Sequence, residues 1–176
     1  MYKGILPFKT TTRKLQNIPK TRTQIMVNIG TPEEAFKNAF LPVRGVGLGR
    51  LEFIINSQIK IHPRAIIDFP KGDSRVVRQI AKLTPEYTDK KQYYVDKLAE
   101  GIAKIGAAFW PHKVIIRFSD FKTNEYRTLI GGERYEPKEL NPMLGWRGAS
   151  RYLDPAFKRR FILNVWPLKK CVMKWV

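Results

Sequence analysis

The run Gly45-Val46-Gly47-Leu48-Gly49-Arg50-Leu51-Glu52-Phe53-Ile54-Ile55-Asn56 constrains the fold of this chain more than any other stretch. Its first half reads as a short glycine-rich strand, and its second half is amphipathic. Arg50 stands where one passes into the other. The glycines remove side-chain bulk, so a ligand can approach the backbone while the guanidinium projects beside it. The competing reading is a glycine turn with an exposed arginine. A dinucleotide fingerprint fails on register: Arg50 occupies the place of the third glycine in G-x-G-x-x-G. Nor is Leu41-Pro42-Val43-Arg44 an apolar strand leading in.

Around this junction the chain alternates strand and helix. Gln24 to Ile29 is an apolar run closed by Gly30, as expected of a buried parallel strand. Thr31 then suits an N-cap, Pro32 the first helical position, and Glu34 the acid of a capping box. Ala35, Phe36, Ala39 and Phe40 are the expected apolar face of that helix. Val46 to Arg50 is the second strand, and Leu51 to Ile61 is helical until His62-Pro63 breaks it. Ile66-Ile67 and Val76 to Leu83 add irregular or helical packing. Tyr94, Leu98, Ile102 and Ile105 recur at spacings of four, four and three, which predicts an amphipathic helix ending near Gly106. Lys113 to Ser119 is a third strand, and a last helix starts near Asp154. The order β–α–β–α–β–loop–α predicts a parallel α/β architecture.

Length and charge bound the rest. A complete (β/α)₈ barrel needs about 250 residues, so 176 hold only part of one. No apolar run approaches the ~18 residues of a membrane span, and no signal peptide opens the chain, which makes cytoplasm the expected location. A single cysteine, Cys171, excludes an internal disulfide, and the two histidines, His62 and His112, do not make a metal site. The net charge of +18 is concentrated at the ends. The first 32 residues carry six Lys or Arg and the last 22 carry six more, while no acid precedes Glu33 or follows Asp154. Such ends suit nonspecific binding to nucleic acid or an acidic surface. No recognition motif accompanies them.

Four segments in order carry a resemblance. They are Gly45 to Asn56, Lys113 to Tyr126, Gly131-Gly132-Glu133-Arg134-Tyr135-Glu136-Pro137, and Asn141-Pro142-Met143-Leu144-Gly145-Trp146-Arg147-Gly148. Together they closely resemble the C-terminal barrel of the phosphoenolpyruvate synthase (pyruvate, water dikinase) family, over roughly residues 1 to 163. The resemblance implies a partial TIM-type (β/α)₈ barrel, with about three of eight strands and flanking helices. Residues 1–22 are the expected basic linker, 23–163 the partial pyruvate- or phosphoenolpyruvate-binding domain, and 164–176 an aberrant tail. The implied parent reaction converts ATP, pyruvate and water into phosphoenolpyruvate, AMP and phosphate. It proceeds through a phosphohistidine on a mobile domain and uses magnesium. No cofactor is expected for this chain alone, because the family's nucleotide site, phosphohistidine, metal ligands and catalytic cysteine lie elsewhere. The chain then reads as an inactive fragment, or as a subunit completed by a separately encoded partner. A basic nucleic-acid or surface-binding module built on the remnant is the alternative.

Arg50 closes the second strand and Arg117 lies towards the end of the third, so in a parallel sheet both project at one mouth. A planar guanidinium suits carboxylate and phosphate oxygens in bidentate fashion. For Arg117 the competing reading is a surface arginine at a strand end. By resemblance these two match the family's substrate-binding pair. Arg147 matches a third arginine near the same mouth, although a structural arginine pinned by Trp146 is the alternative there. Asp120, Glu125 and Glu133 are expected to orient arginines or cap loops, and both histidines to be structural or exposed. The resemblance stops after Phe161-Ile162-Leu163. Read one base earlier, Trp166-Pro167 yields Ala, Met173-Lys174 yields Glu and Trp175-Val176 yields Gly, which suits the family's helix. We therefore expect a one-base frameshift after codon 163, all the more because a Trp-Pro pair inside a helix costs about 3 kcal/mol.

Overall fold

The computed structural model describes Gly4, residues 7–12, 18–141, Met143 and residues 145–173, without the side chains at 159, 160, 172 and 173. Part of the expected linker, Pro142, Leu144 and the last three residues of the expected tail lie outside the described residues. Residues 7–12 and 18–22 are exposed and carry no helix or strand.

Among the described residues a three-stranded parallel sheet runs in the order β1 (Val27–Ile29), β2 (Gly45–Arg50) and β3 (Lys113–Arg117). The chain is thus α/β, with flanking helices, and compatible with a partial barrel. β2 lies in the middle and carries an extra residue relative to both neighbours. Val46 pairs with Val27 and Val114, but Leu48 pairs with Asn28 and Gly49 with Ile116. Gly47 is the surplus residue, as expected of a bulge. Its effect is to bring Arg50 directly opposite Arg117.

The glycines of β2 serve the sheet itself. A Cβ on Gly45 would meet the Lys113 carbonyl at 2.1 Å, one on Gly47 the Met26 Cβ at 3.2 Å, and one on Gly49 the Ile116 Cδ1 at 2.5 Å. The expectation that they open the backbone to a ligand is therefore corrected: the vacated space is filled by the neighbouring strands.

Helix α1 (Pro32–Asn38) follows β1 with Thr31 at its extended N-cap and Pro32 at its first position. The expected capping box does not form. Thr31 makes no side-chain cap bond, and its carbonyl accepts from the Glu34 N–H at 3.2 Å. Ala35 and Ala39 turn inward, whereas Phe36 and Phe40 are 54% and 91% exposed. Positions 35 and 39 share one helical stripe, and 36 and 40 lie a residue around from it.

After β2, helix α2 (Leu51–Ile54) widens into a π-helical turn, Ile55–Ile59, that stops at Lys60 in the left-handed region with φ 63°. Helices α3 (Pro63–Asp68) and α4 (Ser74–Leu83) come next, and Asp73 caps α4 by accepting from Arg75 and Val76 N–H. Helix α5 (Lys90–Phe109) buries Tyr94, Leu98, Ile102 and Ile105 as the spacing predicts, and extends three residues past Gly106. It packs on β2, β3, α1 and α3, and the core of Ile29, Val46, Leu51, Ile54, Ile55 and Ile59 lies beside it. Beyond β3 come α6 (Thr123–Arg127), a 3₁₀ turn at Gly132–Arg134, α7 (Ala149–Leu153) and α8 (Pro155–Met173).

Helix α8 runs unbroken through Trp166 and Pro167. Packing offsets the cost expected of the proline. Leu163 is buried, and two contacts run to α5: Lys170 pairs with Asp96 at 2.5 Å and the Cys171 thiol donates to the Ala99 carbonyl at 3.4 Å. Asn164 is fully buried with neither amide atom hydrogen-bonded.

Candidate functional site

Because β2 and β3 are parallel, the residues that end them emerge together. Arg50 and Arg117 are register partners, so their side chains leave the same face of the sheet. Both line a cavity of about 270 Å³ that also receives Glu52, Asn56, Asp120, Lys122, Glu125 and Arg147. The structure thus brings the three sequence-predicted arginines to one place. A larger cavity of about 840 Å³, between α3, α4 and residues 127–135, holds none of them.

The arginines are not equivalent. Arg117 donates to Glu52 Oε1 at 2.9 Å and pairs with Asp120 Oδ2 at 3.2 Å. Arg147 grips Asp120 with two bonds, Nε to Oδ1 at 3.1 Å and Nη2 to Oδ2 at 2.5 Å. The bonded Arg147 guanidinium holds the Asp120 carboxyl below its usual range, against the opposing effect of burial. Among the described residues Arg50 has no carboxylate partner; its guanidinium lies over the Phe53 ring at 5.7 Å. The Asp120 N–H also donates to Glu52, which links the end of β3 to the first turn of α2.

Two buried polar atoms at this cavity, Glu52 Oε2 and Arg117 Nε, lack a hydrogen-bond partner. Four cations face three carboxylates, leaving a small positive excess suited to a small anion. Metal chemistry does not fit these residues. Glu52 and Asp120 are already paired with arginines, and no three ligating side chains converge among the described residues.

The alternative for the loop arginine, pinning by Trp146, is not what the fold uses. Trp146 stacks on Arg151, 4.2 Å from its guanidinium carbon, and not on Arg147, which is fixed by Asp120. Glu125 accepts from the Lys122 N–H at 2.7 Å and so caps α6, as expected. Glu133 is not at this mouth but on the larger cavity. His62 is fully buried: its Nδ1 accepts from the Arg64 N–H at 3.1 Å, and its Nε2 lies 3.0 Å from Glu136 Oε1. His112 lines an apolar groove beside α5. Sequence reasoning missed Glu136 and Arg151, joined by bonds of 2.6 and 3.0 Å in the interior. Glu136 lies inside one of the resembling segments, which was the available signal; Arg151 lies outside all four.

The sequence profile of the PEP-utilising enzyme, PEP-binding domain, matches residues 8–165. This chain belongs to the PEP-utilising enzyme family. It is 50% identical to the phosphoenolpyruvate synthase of Synechocystis sp. over 172 residues, 97% of this chain and 21% of that protein. It is 48% identical to that of Neisseria meningitidis and 45% to that of Escherichia coli, each over 170 residues, covering 97% of this chain and 21% and 22% of the relatives. The chain therefore spans about a fifth of the length of these PEP-utilising relatives. No helix among its described residues is long and apolar enough to cross a membrane.

Proposed function

We propose that this chain supplies an arginine-lined binding surface for phosphoenolpyruvate or pyruvate, the part it would play within a phosphoenolpyruvate synthase. The observation that carries the reading is the register of Arg50 against Arg117, with Arg147 on the same cavity. Arg50, without a carboxylate of its own, is the natural first contact for a substrate carboxylate or phosphate. Arg117 and Arg147 would then exchange part of their hold on Glu52 and Asp120 for the ligand. Their side chains are 41% and 38% exposed, so each contact contributes modestly. Binding near 1 mM is the expected scale.

In this reading the chain binds but does not turn over by itself. By the resemblance, the histidine that would carry the phosphoryl group belongs to another domain. ATP and magnesium would belong to the remainder of a full-length enzyme, as would any partner completing the sheet beyond β3. Residues 1–22 would serve as linker and 23–163 as the binding domain. The tail 164–176 would be the product of a frameshift, which the unbonded Asn164 and the proline inside α8 support. Pairwise alignments covering 97% of the chain reach past Leu163 and pull the other way. Genomic sequence decides this point: the alternative frame after codon 163 should encode the missing strands.

The binding reading is tested by titrating the chain with phosphoenolpyruvate, followed by NMR. Arg50→Gln should weaken binding about tenfold while leaving the melting curve in place. Equal affinity in the variant would overturn the reading.

A further inference from the structure

Helix α7 places two consecutive side chains on the two loops that meet at the arginine cavity. Arg151, 1% exposed, donates through Nε and Nη2 to the Trp146 carbonyl at 3.1 and 2.9 Å. That carbonyl belongs to the peptide unit whose nitrogen is Arg147's own. Tyr152 donates its hydroxyl to the Ser119 carbonyl, the peptide unit leading into Asp120, whose N–H is held in turn by Glu52. Each member of the Arg147–Asp120 pair is thus preceded by a peptide plane pinned from α7. A peptide plane fixed on one side leaves its following residue few backbone choices.

The rest of the loop is built to the same end. Gly145 and Gly148 sit at φ 60° and 63°, the left-handed region that favours glycine, and flank Trp146-Arg147. These turns let Trp146 stack inward on Arg151 while Arg147 reaches outward to Asp120. Arg151 is itself locked: both its outer nitrogens bond Glu136, Nη2 also bonds Thr123 Oγ1 at 3.1 Å, and its guanidinium carbon lies 4.7 Å from the Tyr126 ring centre. Such a buried charge is costly unless every donor is used, and its bonds run to the loop backbone as well as to the core.

We infer that Arg151 and Tyr152 are positioning residues, which set Arg147 and Asp120 in the geometry the cavity needs without touching a ligand themselves. A purely structural role would make them stabilise the interior and leave Arg147 indifferent to their loss.

The test reads Arg147 directly. In the full chain the Arg147 Nε–H, held by Asp120, should give a slowly exchanging NMR signal. Tyr152→Phe keeps the ring packing and removes only the hydroxyl. It should bring the Arg147 signal into fast exchange and weaken phosphoenolpyruvate binding three- to tenfold. Tyr94→Phe is the control, because Tyr94 is fully buried and its hydroxyl has no partner. It should leave the Arg147 signal unmoved. Thr123→Val, which frees Arg151 from one restraint, should shift the signal in the same direction as Tyr152→Phe, by less. An unmoved Arg147 signal in a cooperatively melting Tyr152→Phe chain overturns the inference. The affinity arm rests on the proposed reading of the cavity. If the unaltered chain binds no phosphoenolpyruvate, that reading falls, and the exchange measurement still decides whether α7 positions Arg147.

Discussion

Asp120 faces two guanidinium groups at once and is the residue on which the cavity's electrostatics turn. Its carboxyl is held below the ordinary range, first by the bond from Arg147, so it binds fewer protons folded than unfolded. The stability it contributes is fully present above its unfolded value, near pH 4, and is lost as pH falls through the lower folded value. Asp120→Asn should therefore flatten this part of the acid limb of a stability-against-pH curve, while lowering stability at neutral pH. An acid limb of unchanged slope would show that the pair is too well solvated to matter. Asn164 presents the opposite case, a buried amide with nothing to bond. Asn164→Leu removes that penalty with the same branched shape and should raise stability by about 1–3 kcal/mol, read from denaturant midpoints.

At the scale of elements, α8 and the β2–β3 pair show how sequence pattern and packing divide the work. Proline at 167 leaves the carbonyl four residues back without its helical donor, and contact with α5 holds the helix together regardless. Pro167→Ala should stabilise the chain by up to about 3 kcal/mol, with no change at the cavity. The strands and α5 were legible because their apolar periods are clear. Arg50 and Arg117 were legible as strand-ending cations. The pairing of Arg117 with Glu52 was not, since it depends on a register set by one surplus residue in β2. Arg151 was invisible for another reason: an arginine in a short polar helix normally faces water, and only the assembled loops show it enclosed. Phe36 and Phe40 misled in reverse, as large apolar residues that the fold leaves outside.

At the scale of the whole molecule, charge and geometry are separated along the chain. Residues 7–12 and 18–22 and the exposed Lys158 and Lys169 carry basic groups away from the arginine cavity's lining. Any binding to duplex DNA should be indifferent to sequence and fall steeply between low and physiological salt. Deleting residues 1–22 together with Lys158→Gln and Lys169→Gln should remove most of it, measured by fluorescence anisotropy, and leave phosphoenolpyruvate binding intact. Sequence-selective DNA binding by the altered chain would favour a nucleic-acid role instead. The surplus glycine of β2 bears on what kinds of genetic change such a chain can survive. Scrambling the final thirteen residues, the proposed fate of the tail, alters much of a helix yet leaves every group lining the cavity in place. Losing the single codon for Gly47 keeps the reading frame and all the chemistry. It takes away only the bulge: the residues from Val46 to Arg50 then match Val114 to Arg117 one for one, and Arg50 stays opposite Arg117. Losing one codon between Val114 and Arg117 finds no such spare residue and sets the two arginines on opposite faces. For this protein the harm done by a deletion is set by which strand has a residue to spare, and hardly at all by how many residues it touches.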